Sequence, residues 1–456
     1  MLLLIFTVVL GALLYYLFWR ESPRTIPEGD GWWGEGDRPD SEEDERVEPF
    51  RIEVSEQMIQ DLHSRLDNSR FTPSLENSRF HYGFNSAYLR KLVSYWRNDY
   101  DWRKQVTLLN GFPQFRTRIE GLQVHFVHVK PALAPPDGTV CALLLIHGWP
   151  GSFYEFYKLM SRLTEPGGRG RDQEPAFEVV CPSIPGYGFS EAPRKQGFDT
   201  VCAARIFHKL MRRLGLERFY LHGGDWGSLI ATNMAQMFPQ RVMGIHLNFF
   251  PVSRLGLQTL PSLLLGSYLP SLFGFSPTDV ERMFPFRKNI YDMLKESGYM
   301  HIQGTKPDTP GYALTDSPVG LAAYILEKFS SWTNLAFRDL DDGGLDRKFS
   351  LDELLTNVMI YWVTGSITTS MRLYKENLSG NFTNRIDAKV GVYVPAGLAA
   401  FPNELMHIPL AWAKQKYRKI VSYSYMSRGG HFAAFEEPEL VAEDLVHFVR
   451  CAENSG

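Results

Sequence analysis

Cysteine is scarce: Cys141, Cys181, Cys202 and Cys451 are the only four in 456 residues, and no CxxC pair occurs. That is too few for a disulfide framework, and it excludes a cysteine-based zinc site. A surplus of one charge is missing too. Lys+Arg total 48 against Asp+Glu 51, a formal net charge of −3, whereas a nucleic-acid-binding chain usually carries a basic excess or stripe. With 44% hydrophobic and 22% charged residues, the composition excludes a disordered or fibrous protein. Aromatics at 14% supply large cores and apolar pockets. The length suits one large domain with insertions, or two domains.

One long apolar run stands out. Residues 2–19, LLLIFTVVLGALLYYLFW, carry no charge. As a helix the run would extend roughly 27 Å, close to the hydrocarbon thickness of a bilayer. A cleaved signal peptide would need a basic leader, a shorter apolar stretch and a small-residue cleavage site, all missing here. The expectation is a retained transmembrane anchor over 1–20, with Tyr15, Tyr16 and Trp19 at an interface. Arg20 and Arg24 follow the span, so the positive-inside rule predicts a lumenal N-terminus and a cytosolic body. Sequons at Asn377 and Asn381 would then carry no glycan.

Residues 21–49 read as a linker, rich in proline and glycine, with an acidic run at 40–45 that is expected to be solvated tether. The Gly31-Trp32-Trp33-Gly34 patch within it is too apolar for a free tether and is expected to pack on the body or a membrane. Residues 50–120 read as an amphipathic helical strap with no catalytic constellation. From 121 to 250 the text alternates strands and helices, with continuous apolar runs such as Val140–Ile146 that suit strands buried on both faces. Residues 251–385 break that rhythm with aromatic-rich helical text, and 386–456 resume it. The expected fold class is α/β, a mostly parallel, doubly wound sheet interrupted by a helical cap.

The chemistry centres on His222-Gly-Gly-Asp225-Trp-Gly-Ser228, which follows a buried strand and opens a helix. Gly223 and Gly227 flank Asp225 as in the nucleophile elbow of the α/β-hydrolase fold. An elbow serine attacks acyl carbons. A carboxylate, ionised near neutral pH, can displace a leaving group at saturated carbon and leave an enzyme ester for water to cleave. Asp at the elbow therefore points to an alkyl electrophile, an epoxide or a haloalkane. Chain order then places the acid and the base downstream: Glu404 soon after the strand expected near 390–394, and His431 after the last strand. Glu404 would orient the imidazole, with Asp387 and Glu436 as competitors. The other histidines, His147, His208, His222, His246, His407 and His447, fall off this pattern and read as structural. An oxyanion hole is expected from the backbone N–H groups of Trp226 and Trp149, whose indoles would wall the substrate pocket.

With HGWPGS at 147–152, GGDWGS at 223–228, Glu404 and GGHFAAFE at 429–436, the chain resembles the membrane-anchored, microsomal type of epoxide hydrolase over essentially its whole length. Insect juvenile-hormone epoxide hydrolases are similar relatives. The resemblance implies addition of water to arene, alkene and some lipid epoxides, giving trans-diols at the endoplasmic reticulum, with no metal or organic cofactor. It also implies two cap tyrosines that protonate the epoxide oxygen, and it places them at Tyr299 and Tyr374; nothing in spacing selects them among 21 tyrosines. A haloalkane dehalogenase, which shares the Asp elbow, and a non-catalytic hydrolase-fold binding protein are the competing readings. Oligomeric state is not legible.

Overall fold

The computed structural model describes residues 25–131, 140–165, 175–252, 259–378, 380 and 385–455. The apolar run at 2–19, the arginines behind it and the Asn381 sequon lie outside these residues. Among the described residues no helix is long and apolar enough to cross a membrane.

Among the described residues nine strands form one mixed sheet in the order β1-β2-β3-β5-β4-β6-β7-β8-β9. They are β1 Val47–Phe50, β2 Gln114–Ile119, β3 Leu122–Val129, β4 Val140–Ile146, β5 Ala176–Pro182, β6 Phe219–Gly223, β7 Val242–Leu247, β8 Val392–Ala400 and β9 Tyr417–Tyr425. The first three are antiparallel, and β3 pairs with β5 rather than with β4. From β5 to β9 every pairing is parallel. The apolar text of β4 and β6 follows from its place: central strands covered on both faces have no polar side to present.

The 50–120 region differs from the helical strap the periodicity suggests. It has three helices, Glu56–Asp67, Ser86–Asn98 and Trp102–Leu109, each opened by a capping side chain (Ser55, Asn85, Asp101). It also contributes β2 to the sheet. Charged Arg116 and Arg118 mask this strand in the sequence; in the fold the Arg116 guanidinium lies 4.0 Å over the Phe50 ring. The helices clasp the cap: Tyr88 Oη donates to Asp346 at 2.5 Å, Tyr95 Oη to Asp352 at 2.9 Å, and Arg65 pairs with Asp316 at 2.8 Å.

The acidic segment before β1 is likewise no loose tether. Glu43 accepts hydrogen bonds from the Glu120 and Gly121 amides at 2.9 and 2.6 Å. Trp33 docks on the body, its N–H donating to the Glu120 carbonyl and its indole N–H to the Glu120 carboxylate at 2.9 Å. Glu120 is 2% exposed and also takes the Arg205 fork at 2.7 and 2.8 Å and Lys209 at 2.8 Å. Burial would raise its carboxyl pKa, but these donors outweigh burial and hold it below the usual range. Removing one partner of such a buried pair costs about 3–5 kcal/mol, so this cluster fastens the N-terminal segment to the β2–β3 turn.

The cap runs between β7 and β8. Its inner helices Pro318–Ser331 and Leu351–Thr364 are largely apolar and bury most of their length. The helices Gly298–Thr305 and Ile367–Leu378 pack together over the C-terminal ends of the parallel strands. That end of the sheet, beneath the cap, is where an open α/β sheet leaves a crevice.

Candidate active site

Asp225 sits at the turn between β6 and the helix Asp225–Met237, with φ of +47°. This left-handed backbone is tolerated best by Gly, Asn and Asp, and it lifts the side chain clear of the sheet. The turn is so tight that a Cβ at Gly227 would run into the Ile146 carbonyl of β4. Across from it, the Trp149 N–H donates to Asp225 Oδ1 at 2.8 Å. Trp226 is the second residue of the same helix, where a backbone N–H has no acceptor inside the helix.

His431 lies in the loop after β9. Its ring is buried, Nδ1 is 2.5 Å from Glu404 Oε1 and Nε2 is 3.3 Å from Asp225 Oδ2. The second approach is off a hydrogen-bonding direction, and Nε2 has no hydrogen-bond partner. Two loops cooperate here. Asn403 bridges to Gly430, the His431 N–H donates to the Trp332 carbonyl at 3.0 Å, and Glu404 also accepts from the Leu405 N–H. Burial works against charge on the ring, but the carboxylates of Glu404 and Asp225 outweigh it and raise His431 to about 10. The two acidic side chains thus favour the charged form of the ring between them.

The two competing acids are placed elsewhere. Glu436 accepts from the Gly430 and Phe432 N–H groups at 2.8 and 2.9 Å, pinning the turn that carries His431 without touching its ring. Burial raises it to about 8 against the pull of those two N–H groups. Asp387 pairs with Arg385 at 3.0 Å, and the carboxyl groups at the imidazole are those of Glu404 and Asp225.

Tyr299 and Tyr374 converge from separate cap helices onto the two tryptophans. Tyr299 stacks on Trp149 with 5.5 Å between ring centroids and 3° between planes, and Tyr374 stands edge-on to Trp226 at 4.8 Å and to Tyr299 at 5.8 Å. Burial first, and then neighbouring negative charge including Asp225, pushes both phenols well above the ordinary range. They stay protonated and available as donors.

Three neighbours carried no sequence signal. The Lys328 ammonium lies 4.9 Å over the Tyr299 ring, the Trp332 ring meets His431 edge-on at 4.9 Å, and Glu155 shares a cavity with Asp225 and His431. Two groups of other histidines bond within the core. His147 Nε2 accepts from the Ile184 N–H at 3.1 Å, and His222, His246 and Asp444 form a chain at 2.8 and 2.9 Å. Among the described residues no cluster of His, Cys, Asp or Glu has the makings of a metal site.

Residues 47–156 match the family model described as the epoxide hydrolase N terminus, and residues 142–404 match that of the alpha/beta hydrolase fold. The chain is 60% identical to Epoxide hydrolase 1 of Sus scrofa, covering 97% of both chains. Its identity to Epoxide hydrolase 1 of Oryctolagus cuniculus is 56%, covering 99% of each. The crystal structure of juvenile hormone epoxide hydrolase from the silkworm Bombyx mori superimposes with a TM-score of 0.87 at 41% identity, over 93% of this chain and 98% of that one. With an Asp-bearing elbow, an α/β-hydrolase sheet and kinship over nearly the full length, the chain belongs to the epoxide hydrolase family and is an enzyme that hydrolyses epoxides.

Proposed function

We propose that the enzyme opens small apolar epoxides, arene and alkene oxides and some lipid epoxides, in two steps through an ester on Asp225. The observation that carries this reading is the contact set around Asp225: the Trp149 N–H on one oxygen and His431 beside the other.

In the first step an Asp225 oxygen bonds to an epoxide carbon and the C–O bond of the ring breaks. Tyr299 or Tyr374 gives its proton to the departing oxygen, and Trp149 and Trp226 wall the apolar part of the substrate. Alkylation removes the negative charge of Asp225, so one of the two charges that hold His431 protonated disappears. The imidazolium then releases its proton, which restores the phenol. In the second step neutral His431, oriented by Glu404, takes a proton from water while the water oxygen bonds to Cγ. The N–H groups of Trp149 and Trp226 hold the resulting oxyanion. On collapse the Cγ–O(alkyl) bond breaks, the alkoxide leaves with the carboxyl proton as the diol, and the starting charges return. The water oxygen remains in the protein. One turnover of excess enzyme in heavy-oxygen water is therefore expected to label the Asp225 carboxyl; label found only in the diol would overturn the scheme.

Tyr299→Phe and Tyr374→Phe are each expected to slow ester formation by about 10²-fold, read as the burst rate in rapid mixing, with ester decay unchanged. A burst at the wild-type rate would clear that tyrosine of the acid role.

The same reading places the enzyme at the endoplasmic reticulum membrane, with residues 1–20 as a single-pass anchor, the N-terminus lumenal and the remainder cytosolic as linker, strap, hydrolase core and cap. An apolar face on the body supports it. No charged residue occurs from 255 to 278, and within the described part Leu264 is 68%, Tyr268 81% and Leu272 72% exposed. The segment at Ile26 meets the body at the same edge. The Ile26 N–H donates to the Gln236 carbonyl, the Gln236 amide and Lys416 both donate to the Asp387 carbonyl, and Gln415 reaches Thr259 at the start of the helix Thr259–Leu265. An anchor rooted there would hold that face toward lipid. Deleting residues 1–20 is expected to raise solubility with chemistry retained while leaving residual vesicle binding, which Leu264→Glu with Leu272→Glu abolishes in co-sedimentation. Binding equal with and without the two glutamates would remove the face from the account. Asn377 is buried, its carbonyl oxygen accepting from Thr200 and its amide donating to the Leu373 carbonyl. Of the two sequons, glycan mapping of orientation therefore rests on Asn381.

A further inference from the structure

Cleaving an ester with water requires a water molecule at the carbonyl carbon and a means of holding it there. The structure has a small recess suited to that need. Asp225, His431, Glu155, Gly151, Asn248 and Ala434 are among the residues around a cavity of about 10 Å³, room for about one water molecule. Neither Tyr299 nor Tyr374 lines it, so it is separate from the place where the epoxide oxygen is expected. His431, whose Nε2 is buried and without a hydrogen-bond partner, is among the lining residues.

Glu155 has no part in the chemistry above. It is the third residue of the one-turn helix Phe153–Phe156, which Ser152 caps through the Tyr154 N–H. Its carboxyl lies over Gly151, where a Cβ would overlap it, so the glycine is what gives the acid its place. Burial and the charge of Asp225 push its pKa well above the usual carboxylate range. A carboxyl in such a place can hold water through its oxygens, and through an O–H as well when it is protonated.

We propose that Glu155 is a positioning residue that binds the hydrolytic water in the cavity it shares with Asp225 and His431. The proposal rests on the two-step reading and concerns its second step alone. Water held by Glu155 delivers its oxygen to Cγ of the Asp225 ester and its proton to His431 Nε2. Glu155 gains and loses no proton over the cycle. A water placed off this line would meet the carbonyl carbon at a poor angle, and misplacement on the ångström scale costs about 10²-fold.

The test separates the half-reactions in full-length enzyme by rapid mixing and acid quench, with intact-mass detection of the ester. Glu155→Ala is expected to slow ester decay by about 10- to 100-fold while ester formation stays within about twofold, so that ester accumulates in the steady state. Glu155→Gln, which keeps a donor and an acceptor, is expected to recover most of the decay rate. Gly151→Ala, whose methyl group takes the space of the carboxyl, is expected to mimic Glu155→Ala, and it serves where that variant does not fold. Wild-type decay in Glu155→Ala, or equal slowing of formation and decay, would overturn the assignment. Absence of an ester in wild-type and variants alike would instead sink the two-step reading, and the assignment with it.

Discussion

Replacing His431 with Gln is expected to convert the enzyme into one that captures its substrate and keeps it. Glutamine preserves volume and polarity at a buried position, but it cannot accept the proton of the attacking water. Ester formation needs an Asp225 oxygen in line and a phenol proton, neither of which His431 supplies, so alkylation proceeds. Hydrolysis loses its base, and turnover is expected to fall by at least about 10³-fold. Intact mass measured after mixing with an excess of a styrene-type oxide should rise by one substrate equivalent and stay raised for hours, with the adduct mapping to the peptide that carries Asp225. Loss of turnover with an unmodified mass would show that His431 acts before the ester exists. In the free enzyme His431 is also the counter-charge to Asp225 at 3.3 Å. Alkylation is therefore expected to change, but by far less than decay.

Asp225→Ala is expected to abolish turnover, to below about 10⁻⁴ of wild type, and to give no adduct at all. The contrast with His431→Gln is the diagnostic: both lose activity, and only one gains mass. Alanine also meets a backbone it dislikes. At φ +47° an L-residue without a short polar side chain is strained by about 1–2 kcal/mol, so part of any fall in Tm belongs to the elbow rather than to the site. Asp225→Asn keeps both shape and backbone tolerance and isolates the chemistry. It is expected to be equally free of adduct at a Tm close to that of wild type, and rapid diol release from freshly prepared Asn variant would contradict the role assigned to the carboxylate.

Much of the core was legible because burial writes itself into sequence. Val140–Ile146 reads as a strand covered on both faces and is one, and the elbow is marked by the glycines that its tight turn requires. Chain order led to Glu404 and His431, which the fold brings within 2.5 Å of each other. Glu436 shows where such reasoning weakens: it is much closer to His431 in sequence than Glu404 is, yet the turn directs it to backbone N–H groups. β2 was hidden because its arginines look solvated until Phe50 is known to lie beneath one of them. The acidic run looked like tether because nothing local announces that Glu43 will meet two amides of the β2–β3 turn. The tyrosines depended on resemblance, since what distinguishes Tyr299 and Tyr374 is contact with Trp149 and Trp226 from helices about 70 residues apart, a tertiary property without a local pattern.

The pairing of β3 with β5 has a consequence for biosynthesis. As the polypeptide leaves the ribosome, β1, β2 and β3 can form a meander at once, but β4, the next strand made, belongs on the far side of β5. The free edge of β3, with Phe126 and Val127 fully buried in the finished enzyme, waits until residue 182 has emerged before anything covers it. During that interval an unpaired edge is a template for association between nascent chains. Ribosome-stalled chains ending shortly before β5 should therefore lean on chaperones more heavily than chains ending just beyond it.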